Sequence, residues 1–147
     1  IWANAFYGTE FVNIAWAITV DKFDNVYVAG EFAATVDFDP GPGFAFLTAS
    51  GANDLYFAKF DSAGHYRWCH KIGRSGSDFA KDILVTETGD LYLAGSIKGT
   101  NVDFDLGSGV AYLSSVGNED AFFAKYSLKP GPAGPIFSDQ PDASVWL

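Results

Sequence analysis

The sequence predicts an all-β fold: two tandem antiparallel sheets packed face to face, followed by an extended C-terminal tail. Three observations predict it. One set of motifs occurs twice, at an interval of 65–66 residues. Apolar residues occupy both faces of its strand-like segments. No segment carries the sustained i, i+3, i+4 apolar spacing of an amphipathic helix.

The repeat can be followed residue by residue. Val26-Tyr27-Val28-Ala29-Gly30 recurs as Leu91-Tyr92-Leu93-Ala94-Gly95. Val36-Asp37-Phe38-Asp39 recurs as Val102-Asp103-Phe104-Asp105, and Phe57-Ala58-Lys59-Phe60 as Phe123-Ala124-Lys125-Tyr126. Ala45, Leu47 and Asp54 match Ala111, Leu113 and Asp120. Trp2 matches Trp68, and Gly8 matches Gly73. A single insertion near Lys98-Gly99 accounts for the change of interval between the Val26–Leu91 and Val36–Val102 matches. The chain divides into a first repeat at 1–66, a second at 67–128 and a Pro/Gly-rich tail at 129–147.

Each element has a local reason. Residues 14–20 form a strand, turned at Asp21 to Asn25 into a second strand at 26–30; the matching turn is Glu87-Thr88-Gly89-Asp90. Further strands are expected at 35–39, 44–49, 55–60 and 65–72. In Leu55 to Phe60, Leu55 and Phe57 line one face, and Tyr56, Ala58 and Phe60 the other. A sheet with one wet face would alternate apolar with polar residues. Sheets that are apolar on both sides must be covered on both. Small repeated sheets achieve this by stacking as propeller blades.

Composition narrows the function. The 147 residues are 48% apolar and 17% aromatic, with 16 glycines and 6 prolines, which suits short strands joined by turns. The net charge of −9 opposes binding to nucleic acid and to anionic membranes. No apolar run is long enough to span a membrane. The start at Ile1 suggests a processed chain or a fragment. Cys69 is the one cysteine, in the apolar run Trp68-Cys69-His70, and reads as a buried, inert thiol.

The pattern 24–30, then 36–43, then 54–61, then Trp68 to Gly73 with Gly76-Ser77-Asp78, resembles the bacterial β-propeller repeat family often called SBBP. The resemblance covers about 128 residues. It departs at Leu106, where the first copy has Pro40, and at Ser127, where the first copy has Asp61. It implies four-stranded propeller-blade-like sheets in secreted or cell-surface proteins, and it transfers no catalytic residue.

Propellers close with typically about four to eight blades. Two blades leave apolar faces wet, at roughly 25 cal/mol per Å². Partners are therefore expected: a longer chain, a ring of copies, or a head-to-tail filament. A further option is a sandwich that hides the inner faces alone. In the tail, a stiff Pro-rich linker leads to Ile136-Phe137 and to Val145-Trp146-Leu147. These five residues either pack on their own domain or donate a strand to a neighbour.

Candidate chemistry is sparse. Asp37 with Asp39, and Asp103 with Asp105, would share one side of a strand, next to a Gly-rich turn. Such pairs suit calcium as a cofactor, or they cap a turn by accepting backbone N–H bonds. His65 and His70 fall on opposite faces and make no metal site. Gly73-Arg74-Ser75-Gly76-Ser77 lacks the lysine of a phosphate loop and reads as a turn. Trp2, Trp16, Trp68 and Trp146 could stack on glycans, although the Trp2–Trp68 equivalence favours packing. The expectation is a non-enzymatic, extracellular, self-assembling structural protein. The alternative is a glycan- or protein-binding module of a larger secreted propeller.

Overall fold

The computed structural model describes residues 1–8 and 12–128. These residues form strands β1 (Tyr7–Gly8), β2 (Asn13–Val20), β3 (Val26–Phe32), β4 (Thr35–Asp37), β5 (Phe46–Thr48) and β6 (Asp54–Phe60). There follow β7 (Tyr66–Ile72), β8 (Phe79–Val85), β9 (Asp90–Ile97), β10 (Val102–Asp103), β11 (Tyr112–Leu113) and β12 (Asp120–Ser127). No helix occurs among them. The tail, with Ile136, Phe137, Val145, Trp146 and Leu147, lies outside the described residues.

The first sheet runs in the order β2-β3-β6-β7 and the second in the order β12-β9-β8, all antiparallel. The duplication maps β2 onto β8, β3 onto β9 and β6 onto β12. The small hairpin β4–β5 maps onto β10–β11. Strand β7 lies in the range of the second repeat but hydrogen-bonds to β6, so it completes the first sheet.

The turns repeat as well. Asp21, Asp61 and Thr86 each accept a backbone N–H from three residues on. The fourth residue of that turn has positive φ: Asp24 at 61°, Gly64 at 85° and Gly89 at 81°. Glycine meets this demand without steric cost, and Asp24 tolerates it.

The sheets stack through one face each, β8 lying against β2, β3 and β6. Tyr27, Ala29, Leu55, Phe57, Trp68 and Ile72 of the first sheet meet Ile83, Leu91, Leu93, Phe122, Ala124 and Tyr126 of the second. Phe57 stacks on Tyr126 with ring centres 5.4 Å apart. A second core lies on the other side of the first sheet. Here Tyr56, Ala58 and Phe60 are covered by Val36 and Phe38 of the β4–β5 arm and by Phe6. Both faces of the first sheet are thus apolar, as the sequence predicts.

Three local expectations need correction. Asp39 and Asp105 do not extend the strands of Asp37 and Asp103: β4 ends at Asp37 and β10 at Asp103, where the loop begins. His65 lies in the turn before β7, where its Nδ1 is 3.1 Å from Asp61 Oδ2. Trp68 is 2% exposed but its counterpart Trp2 is 44% exposed. The second sheet covers Trp68, and no sheet among the described residues covers Trp2.

Candidate functional site

The candidate site is the pair of outer sheet faces. The outer face of the first sheet carries Ile18, Val20, Val26, Val28, Tyr56 and Phe60. Over its β2–β3 half opens a cleft of about 520 Å³, bounded by Trp2, Phe6, Trp16, Ile18, Val28 and Phe60. The outer face of the second sheet carries Leu84, Tyr92 and Phe123, and Phe123 is 88% exposed.

The repeat supplies an internal control for these exposures. Ile18 is 69% exposed and its counterpart Ile83 is 4% exposed. Val20 is 56% exposed and its counterpart Val85 is 8% exposed. The same positions, with the same residue types, are wet in the first repeat and dry in the second. What differs is a neighbouring sheet. The sequence does carry this signal: the Ile18–Ile83 and Val20–Val85 matches mark one face of the unit as a contact face. It becomes readable once the direction of stacking is known.

Polar groups near the contact are tied into the frame. Buried Glu31 accepts hydrogen bonds from Trp16 Nε1 at 3.0 Å and from Asn53 Nδ2. Buried Asp54 accepts from the backbone of Ser50 and Gly51 and pairs with Lys71 at 2.9 Å. Buried Asp78 accepts from the backbone N–H groups of Arg74 and Lys98, which ties the turn before β8 to the end of β9. Burial raises its carboxyl above the ordinary value, and nearby Asp54 adds to this against the two hydrogen bonds. Gly73 to Ser77 is indeed the connection between β7 and β8. Cys69 is half-buried rather than fully buried, and desolvation of its thiol pushes the pKa well up and leaves it little thiolate. His70 lies in ring contact with Trp68 and Phe57 at 5.3 and 5.6 Å.

Tyr56 is fully buried, and its hydroxyl has no hydrogen-bond partner among the described residues. Burial drives its pKa far up. Its counterpart in the second sheet is Phe122. Tyr56→Phe removes an unsatisfied polar group at almost constant shape, so it should stabilise the protein by up to about 1 kcal/mol. A rise in the thermal midpoint checks this.

The aspartate pairs fold loops. Asp37 Oδ1 accepts the N–H of Asp39 at 3.1 Å and that of Ala45 at 2.8 Å; Asp39 Oδ1 accepts the N–H of Gly41 at 2.8 Å. Asp103 does the same with Asp105 and Ala111, and Asp105 with Gly107. The two loops are therefore copies of one structure, each with a carboxylate at its centre. Among the described residues, no three His, Cys, Asp or Glu side chains cluster as a metal site would require. Asp37→Ala should cost about 1–3 kcal/mol, and Asp37→Asn, which keeps an acceptor, much less. The midpoints of urea unfolding measure the difference.

No protein-family model matches the chain. Over 117 residues it is 28% identical to an uncharacterized WD repeat-containing protein of Acanthamoeba polyphaga mimivirus. The chain is all-β, with repeated, propeller-blade-like sheets. The match covers 70% of this chain and 8% of the length of that relative. In such a repeat protein each sheet normally has a neighbour on both sides. The two outer faces described above carry no stacked sheet among the described residues. No helix among the described residues is long and apolar enough to cross a membrane.

Proposed function

We propose that this protein is a structural, non-enzymatic repeat unit that assembles with copies of itself through its outer sheet faces, outside the cell or at its surface. One observation carries the reading: Ile18 and Val20 are exposed while their counterparts Ile83 and Val85 are buried by a stacked sheet. Exposed apolar area of this kind costs roughly 25 cal/mol per Å², and association recovers it. The resemblance of 24–30, 36–43 and 54–61 to bacterial SBBP-type repeats supports the extracellular setting. Sedimentation velocity tests the proposal. The expected result is a mass that grows with concentration and returns to 15.8 kDa in an Ile18→Lys variant. A 15.8 kDa species at every concentration overturns it.

A second reading, a glycan- or protein-binding module of a larger secreted propeller, is favoured by one observation. The matched relative is far longer than the segment it shares with this chain. This reading expects a chain that stays monomeric and takes ligand at the cleft of the first sheet.

A further inference from the structure

Among the described residues the second sheet has one strand fewer than the first. Strand β6 has β7 beside it; its counterpart β12 pairs with β9 alone among the described residues. A segment resembling β7 occurs elsewhere in the chain. Trp2 to Phe6 matches Trp68 to Ile72, and Gly8 matches Gly73 after one extra residue, so the N-terminal segment is a further copy of the strand that completes a sheet.

That segment already stands in the matching place. Strand β7 contributes Trp68 and Ile72 to the core shared with Phe104 of the loop after β10 and with Phe122 and Tyr126 of the second sheet. The counterparts of those three are Phe38, Tyr56 and Phe60. Phe6, the counterpart of Ile72, packs on all three, with ring centres 5.2, 5.9 and 5.6 Å away. Trp2 Nε1 donates to the Ser62 carbonyl at 3.2 Å, and Asn4 Nδ2 to that of Gly64 at 2.7 Å. Residues 2–6 thus lie against the first sheet as β7 lies against the second, while Tyr7 and Gly8 pair with Asp37 and Val36 of β4. They hold the position of the last strand of a preceding sheet, and the 520 Å³ cleft beside them is where its other strands would begin.

A three-stranded sheet with the right face is present in the chain. Tyr27 and Phe57 of the first sheet pack on the second; their counterparts Tyr92 and Phe123 point outward from β9 and β12. We infer that β8–β9–β12 of a second copy docks over the cleft, and that Trp2–Phe6 of the first copy adds to the edge of that copy's β12 as its fourth strand. This rests on the self-assembly reading and specifies its geometry. The β6–β7 pairing, Phe57 opposite His70 and Leu55 opposite Ile72, sets the register. It places Phe123 opposite Asn4 and Ala121 opposite Phe6. Strand addition supplies backbone hydrogen bonds, and the stacked faces supply apolar burial. The contact joins two different surfaces, so repeated addition yields a ring or a filament.

A cross-link between singly substituted chains tests this. Asn4→Cys chains are mixed with Ala121→Cys chains, both carrying Cys69→Ala because that native thiol is only half-buried, and treated with a short bis-maleimide. Residues diagonal across a strand pair lie about 7–8 Å apart, within reach of the reagent. The expected product is a covalent heterodimer, absent when Lys22→Cys replaces Ala121→Cys. Phe123→Glu alters a residue 88% exposed, so the fold should persist while self-association weakens at least tenfold. Deleting residues 129–147 should leave both the cross-link and the association intact. Association without this cross-link, or association lost with 129–147, overturns the strand assignment and leaves self-assembly standing. No association at any concentration overturns both.

Discussion

Trp68→Ala should destabilise the protein by about 3–5 kcal/mol, whereas Trp2→Ala should cost less than about 1 kcal/mol. The two tryptophans are counterparts in the repeat, so sequence alone would rank them together. Trp68 is 2% exposed and meets Tyr27, Phe57 and His70 with ring centres 5.3–6.0 Å apart. Removing it leaves a cavity among rings that belong to one sheet and face the other, so relaxation can fill little of it. Trp2 is 44% exposed and is held by one hydrogen bond to the Ser62 carbonyl. Urea unfolding at a fixed low concentration measures both. Equal losses would mean that Trp2 is also covered. A loss at Trp2 that appears only at high protein concentration would show that a second copy covers it.

Gly95→Ala and Gly30→Ala should each cost about 1–3 kcal/mol, far more than the few tenths typical of surface substitutions. These glycines are counterparts, and the cause is close backbone approach. The pairing of β2 with β3 slips between Ala15 and Ala17, and that of β8 with β9 between Ala80 and Asp82. The slip swings a carbonyl over the facing residue. A Cβ on Gly30 would overlap the Ile14 carbonyl oxygen, and one on Gly95 that of Phe79. Neither glycine is among those with positive φ, so the constraint is space rather than backbone angle. A thermal midpoint lowered in both variants, with an all-β circular dichroism spectrum retained, is the expected result. Tolerance of alanine at both positions would refute the bulge as the reason for the glycines.

Much of the fold was legible in the sequence. The repeat set the strand order within each unit. The two-sided apolar pattern of Leu55 to Phe60 announced stacking, and the turn residues placed most strand ends within one or two positions. The aspartate pairs were legible as recurring loop features. Capping of a turn through backbone N–H groups was one of the two readings of them; that Asp39 leaves the strand was not legible, because a carboxylate in a strand and one in a loop look alike until the hairpin closes. Asp39 then falls beyond the strand, and Asp37 bridges to Ala45. Likewise, a five-residue spacing put His65 on a strand that begins one residue later.

Trp2 and Trp68 show where local reading ends. The sequence determined by itself that the chain is two copies of one β unit, each apolar on both sides. This is because apolar alternation and turn chemistry are local properties, written into a few adjacent residues. Only the tertiary structure decided which face of each copy is covered, and hence why Ile83 is dry and Ile18 is wet. Stacking gives each sheet a direction, and direction belongs to the pair of sheets rather than to either repeat. The unit is the same twice; its surroundings are not, and that difference marks the surfaces proposed for assembly.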